Sequence, residues 1–338
     1  MARSYVEIKS LVRKAIVGGR YKPNDRLPAD HELARELKTS RLTVHRALRE
    51  LAGEGLVRRS PRRGTLVADP QKHIVGMVAL LAPDIFSPRG SEWVSALGED
   101  LLKSGISLVP YNCHGSPARA AQIASLLARN PVLGVILVPP ADEETLEVID
   151  ILQQAGIPVV IEGKFDSPGM GISYVTTNHR QGGRILGEHL IKVGHRRFAI
   201  VSWPRTQDIV ERCEGFREGV SSVRSSIGKE DHFEVRHYAE IPYVVQELIK
   251  RPNRPTAIFG INDVLAAEVM VSLADAGFRV PDDCAVVGMG DELMSKATLS
   301  PMTTARAPWE EEGHMLASVL LNTLNGRLTE PQRIVLDY

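Results

Sequence analysis

Ser40, Arg41, Thr43, His45 and Arg46 fall close together in the run SRLTVHRALR, residues 40–49. An arginine carries a flat fork of donors that matches the O6 and N7 edge of guanine, and a threonine can touch a phosphate or a thymine methyl. Further on, Arg58-Arg59-Ser60-Pro61-Arg62-Arg63-Gly64 places four arginines around a turn. Such a basic tip suits a phosphate backbone or a minor groove. This is chemistry for meeting duplex DNA rather than for making or breaking bonds.

Elsewhere the spacing of a catalytic centre is missing. There is no GxxxxGKS or GxxxxGKT, no GxSxG and no HExxH. Gly288-Met289-Gly290 lacks the third glycine of a dinucleotide fingerprint, and Asp291 follows at once. The ten histidines are scattered, and His189 and His195 read as helix-end residues. Asp142-Glu143-Glu144 and Glu310-Glu311-Glu312 read as acids complementing helix N-termini. Cys113, Cys213 and Cys284 are far apart with no CxxC, so neither a disulfide framework nor a thiolate zinc site is expected. The reading is a non-enzyme with no cofactor and no metal.

The elements that must position the basic residues are legible from periodicity. Val6, Ile8, Leu11, Val12, Ala15 and Ile16 mark an amphipathic helix over 4–17, stopped by Gly18-Gly19. Residues 21–27, containing Pro23-Asn24-Asp25, read as a turn. A second helix follows Pro28, with Leu33, Ala34 and Leu37 on one face. Thr39-Ser40 signals the cap of a third, running to about residue 52 with Val44, Ala47, Leu48 and Leu51 as its buried stripe. Residues 56–57 and 65–67 read as two short strands flanking the basic tip. Three helices and a basic two-stranded wing make a winged helix-turn-helix.

Charge agrees with that division. The formal net charge is zero, yet residues 1–70 hold 16 basic and 8 acidic side chains against 25 and 33 in the remainder. A small basic segment on a larger acidic body suits a polyanionic partner. Hydrophobic residues at 43% and charged residues at 24% are those of an ordinary globular chain of 338 residues. The longest apolar run, residues 74–82, is far short of the roughly 20 residues a membrane-spanning helix needs. The first residues mix both charge signs without an apolar core, so no signal peptide and no membrane role are expected, and a reducing cytoplasm is.

Residues 27–67, LPADHELARELKTSRLTVHRALRELAGEGLVRRSPRRGTLV, closely resemble the GntR-family winged helix. The resemblance implies DNA contacts from Ser40, Arg41, Thr43 and His45, with the wing tip near Gly64 and Thr65. Arg46, Arg62 and Arg63 join them on charge. The family often has arginine where this chain has His31 and His45, which implies a different half-site preference.

After a polar linker at 69–73 the chain alternates strand and helix signals. Strands are expected near 74–80, 106–110, 134–138, 159–161, 197–201, 257–259 and 285–287. Helices are expected near 91–104, 117–129, 143–155, 179–193, 209–221, 241–250, 263–276 and 308–325. Elements alternating at this length imply doubly wound parallel α/β sheets, and the size implies two lobes. The runs TTNHRQGGRILGEHLIKVGHRRFAIV (176–201), RCEGF (212–216), TAIFGINDVLAAEVMVSLADAGFRVPDDCAVVGMGD (256–291) and LSPMTT (299–304) resemble the LacI/GalR effector-binding domain, of periplasmic-binding-protein type. That resemblance implies Arg212 and Asn262 as effector contacts, a guanidinium and an amide that can each hold vicinal hydroxyls. Asp291 matches one acid of the family's terminal pair, with Gly290 in place of the other. Glu162 and Lys164 stand near the inter-lobe strand end, and Asp84 and Phe86 in the loop after the first strand. Asp263 follows Asn262 and is the alternative cap of the next helix.

The expected organisation is a winged helix at 1–68, a linker at 69–73 and an effector-binding and dimerisation domain at 74–338. Its first lobe is about 74–175 plus 305–326, and its second about 176–304 plus 327–338. The expected function is a homodimeric repressor on operator DNA, released by a small-molecule effector, a sugar or sugar derivative. A corepressor-dependent repressor or an activator with a non-sugar ligand is the alternative, ahead of an enzyme fused to a DNA-binding domain. With no apolar wedge in the linker, signalling is expected to act through the relative placement of two winged helices.

Overall fold

The computed structural model describes residues 4–53, 55–60, 64–68, 76–84, 90–130, 132–139, 142–165, 170–204, 206–221, 227–298 and 300–338. The chain divides into two compact units, residues 1–85 with 93–175 and 313–333, and residues 86–92 with 176–312 and 334–338.

The N-terminal region holds α1 (Tyr5–Val17), α2 (Asp30–Glu36), α3 (Arg41–Gly53), β1 (Val57–Ser60) and β2 (Gly64–Val67). A capping box starts α1: Ser4 Oγ accepts the Glu7 N–H, and Glu7 accepts the Ser4 N–H at 2.7 Å. The α3 stripe is buried as its spacing predicts, with Val44, Ala47, Leu48 and Leu51 inaccessible beside Ile8, Val12 and Leu33. β1 and β2 form an antiparallel hairpin, Val57 opposite Val67 and Ser60 opposite Gly64. The expected turn at 21–27 does more than turn. Asn24 and Leu27 donate backbone N–H groups to Val67 and Thr65, and Arg26 bridges Leu66. Residues 24–27 therefore lie along the edge of the two-stranded wing, held by a single bridge and its flanking hydrogen bonds.

The first α/β sheet has the order β13-β7-β6-β5-β3-β4. Its strands are β3 (Gly76–Ala82), β4 (Ile106–Asn112), β5 (Gly134–Leu137), β6 (Val159–Glu162), β7 (Ser173–Thr177) and β13 (Arg333–Leu336). β3 to β7 pair in parallel. Their crossovers are α4 (Gly90–Lys103), α5 (Pro117–Leu127) and α6 (Asp142–Gln154). Leu81, Val135, Leu152 and Ile161 form part of the core against this sheet.

The second sheet, order β12-β11-β10-β8-β9, is parallel throughout. It comprises β8 (Phe198–Ser202), β9 (His232–Glu234), β10 (Ala257–Gly260), β11 (Ala285–Gly290) and β12 (Thr303–Arg306). The remaining helices are α7 (His179–Lys192), α8 (Gln207–Val220), α9 (Ile241–Lys250), α10 (Asp263–Asp275), α11 (Leu293–Ala297) and α12 (Trp309–Leu324). Phe216 of α8 stacks on Phe259 of β10 with centroids 4.7 Å apart. α7 and α8 touch along glycines: a methyl on Gly215 would overlap the Arg180 carbonyl oxygen, and one on Gly219 the Arg184 carbonyl. That close approach fixes the height of α8, on which Arg212 sits. β7, β9, β12 and β13 escaped the sequence reading; three are short, and β7 is polar in sequence (SYVTT) yet wholly buried.

Candidate nucleic-acid interface and effector site

α3 presents its first turn outward. Ser40 caps it, its Oγ accepting the Thr43 N–H at 3.1 Å and lying 2.7 Å from Thr43 Oγ1. Arg41 is exposed, and no hydrogen bond or ion pair holds it among the described residues. Beside it Leu42 is 78% exposed, an apolar group that periodicity alone did not single out.

His45 belongs to a three-residue cluster that links the helix to the wing. Asp30 Oδ2 accepts from Arg59 Nη2 at 2.7 Å and lies 3.0 Å from His45 Nδ1. Arg59 Nη1 lies 3.1 and 3.3 Å from the two ring nitrogens of His45. Burial alone would raise the Asp30 carboxyl, but the hydrogen bonds from His45 and Arg59 and their charges outweigh it and hold the group below its usual range. Arg46 turns the other way: its guanidinium lies 3.9 Å over the Tyr5 ring, with Nε 3.8 Å from Glu50. It is engaged on α1 and α3 rather than extended from them.

On the wing, Gly64 takes φ +77°, the left-handed turn that ends the basic tip. Thr65, implied as a DNA contact near the wing tip, is 6% exposed, and its carbonyl accepts the Leu27 N–H. Its side chain is therefore a packing position, because residue alternation turns Thr65 and Val67 inward together. Arg62 and Arg63 lie outside the described residues, as does Phe86.

In the second unit the carboxyl ends of the parallel strands carry a polar and aromatic group, where ligands of such sheets bind. Arg212 is 6% exposed on α8; Nη1 donates to the Ile261 carbonyl at 3.1 Å, and Nε is buried with no partner. Asn262 caps α10, its Oδ1 accepting the Leu265 N–H at 2.8 Å, which leaves its amide donors for other use. Asp263 is not the cap. It is fully buried and accepts the Thr304 hydroxyl and the Glu292 N–H, both at 2.6 Å. Burial pushes its carboxyl up, against the lowering effect of those two hydrogen bonds. Asp291 sits at φ +58°, accepts from Ser295 Oγ at 3.3 Å, and has Lys296 and Arg306 within 3.5 and 3.7 Å. The sequence reading missed Trp203 and Tyr238, which follow β8 and β9 and meet edge to face at 4.9 Å. Their signal was an aromatic just past a strand end.

In the first unit Asp84 follows β3 and accepts from Asn112 Nδ2 at 3.4 Å. Glu162 is the last residue of β6, 2% exposed, and Lys164 follows it across Gly163 at φ +104°. The structure thus brings Arg212, Asn262 and Asp291 to one set of strand ends, and Asp84, Glu162 and Lys164 to another.

No helix among the described residues is long and apolar enough to cross a membrane. Residues 4–67 match the bacterial regulatory proteins of the gntR family, and residues 188–338 a periplasmic binding protein-like domain. The arabinose metabolism transcriptional repressor of Geobacillus stearothermophilus is 28% identical over 343 aligned residues, covering 96% of this chain and 92% of that one. The HTH-type transcriptional regulator CelR of Thermobifida fusca is 31% identical, covering 74% of this chain and 69% of its own. Among solved structures, a transcriptional regulator CelR–cellobiose complex superposes with a TM-score of 0.71 at 28% identity, covering 88% of each chain. With a DNA-reading winged helix ahead of an effector-type α/β body, the chain belongs to the HTH-type transcriptional regulators, here with a gntR-family DNA-binding domain joined to a periplasmic binding protein-like domain.

Proposed function

We propose that this regulator is a homodimeric repressor that a sugar or sugar-derived effector releases from its operator in the cytoplasm. The observation that carries the effector reading is the Arg212 guanidinium: it is buried, with one hydrogen bond to Ile261 and an unpartnered Nε, beside the free amide donors of Asn262. A desolvated guanidinium with unused donors calls for an acceptor-rich ligand. The names of the relatives, an arabinose metabolism repressor and a cellobiose complex, support a carbohydrate.

In this reading Ser40, Arg41, Thr43 and His45, with Arg62, Arg63 and Gly64 at the wing tip, meet the operator; the placements of Arg46 and Thr65 make them supports. Asp84, Phe86, Glu162, Lys164, Arg212, Asn262 and Asp291 meet the effector. The winged helix is residues 1–68, and 74–338 is the effector and dimerisation domain. A small ligand that favours one conformation lowers operator affinity by its differential affinity for the two states.

The test is a thermal-shift screen of the full chain with arabinose, ribose, cellobiose and their derivatives. A ligand at 100 times its dissociation constant stabilises by about 2.7 kcal/mol. Each hit is then titrated into the complex with an operator duplex selected from a random library. Release of DNA supports the reading. Tightened binding would make the ligand a corepressor, and no hit among carbohydrates would remove the sugar.

A further inference from the structure

Several cations of the winged helix are held by neighbours among the described residues. Arg20 pairs with Glu36 at 2.9 Å, Arg46 stacks on Tyr5, Arg59 pairs with Asp30, and Arg58 donates to Asn24 at 3.4 Å. Arg26 differs. It is exposed, and its guanidinium has no hydrogen bond or ion pair among the described residues.

Its place is set by a bridge to the edge of the wing. Arg26 bridges Leu66, and Leu66 is also the register partner of Arg58 in β1. The three residues therefore form one row across the sheet. Val57, Val67, Leu27 and Thr65 are buried on the inward face, so strand alternation puts Arg26, Arg58 and Leu66 on the outward one. The guanidinium reaches along that face to the base of the tip: a Cβ built on Gly64 would lie 3.1 Å from Arg26 Nε. Arg26 thus stands beside the glycine at which the basic Arg62-Arg63 tip ends.

We propose that Arg26 is a phosphate contact of the wing, gripping the DNA backbone beside the tip with Arg58 as its neighbour in the row. Charge along the row names the occupant, since an unpaired guanidinium in one row with Arg58, at the glycine that ends a basic stretch of sequence, fits the phosphates of a duplex. The contact carries no base information. It places the wing, and it rests on the DNA-binding role of residues 4–67.

The experiment compares full-length wild type, Arg26→Ala, Arg26→Lys and Arg129→Ala, the last making the same charge change on an exposed residue of the body. Each is titrated with the selected operator and with an unrelated duplex at several salt concentrations. Arg26→Ala is expected to weaken both duplexes roughly tenfold near physiological salt. The slope of log affinity against log salt should fall by about 0.9 for each winged helix bound. Arg26→Lys should keep the slope, and Arg129→Ala both slope and affinity. Three results would overturn the assignment: unchanged affinity and slope, a loss confined to the operator, or a loss with unchanged slope and a lowered melting temperature. Wild type that binds neither duplex would instead sink the DNA-binding role itself.

Discussion

Replacing Arg212 by methionine keeps most of the buried volume on α8 and removes the guanidinium. Among the described residues only one hydrogen bond is lost, that to the Ile261 carbonyl. The protein should therefore lose about 1 kcal/mol or less of stability. For the effector the loss is larger, because a hydrogen bond to a charged, desolvated group contributes about 1.5–3 kcal/mol. That corresponds to roughly ten- to a hundredfold in affinity. Two titrations decide the matter, operator into apo-protein and effector into the protein–DNA complex. The expected variant binds operator like wild type and releases it only at proportionately higher effector. A variant that lost operator affinity while keeping effector affinity would make Arg212 a structural residue and refute the reasoning.

Asp30→Ala frees His45 and Arg59, and should weaken operator binding several-fold in a gel-shift titration. Because the Asp30 carboxyl is held below its usual range in the folded protein, its stabilisation is present above that range and is lost as pH falls through the lowered value; urea midpoints of variant and wild type should therefore converge in acid. Asp263 has the opposite sign: its raised folded value means a contribution present below the ordinary carboxylate range and lost as pH rises through the folded one. Urea midpoints of Asp263→Asn should accordingly gain on wild type between acid and neutral pH, and a constant difference would contradict this. Gly215→Ala sets a methyl against the Arg180 carbonyl and should cost about 1–3 kcal/mol, read as a lowered melting temperature. Cys113, Cys213 and Cys284 are all buried, and burial pushes the Cys284 thiol up to about 12, so a thiol reagent should label none of them until the protein unfolds.

Local physics made much of this chain readable as a sequence. The stripe of Val44, Ala47, Leu48 and Leu51 repeats at helical spacing and is buried for that reason alone, and the Ser40 hydroxyl caps α3 because serine outcompetes water for a free N–H at a helix start. The alternation of strand and helix signals, with the resemblance of RCEGF and IND to the LacI/GalR effector domain, implied Arg212 and Asn262 at strand ends. What the sequence could not settle depends on pairings between distant residues. Arg26 joins the wing only because it meets Leu66, 40 residues on, and that same pairing turns Thr65 inward. Asn262 and Asp263 are adjacent and both can cap a helix. The choice fell to Asn262 because Thr304 of β12 and the Glu292 N–H ahead of α11 reach Asp263. Arg46 looked free on a helical wheel until Tyr5 closed over it from α1. A side chain's type and spacing decide what it can do, but its partner is chosen by the packing of segments that the sequence keeps far apart.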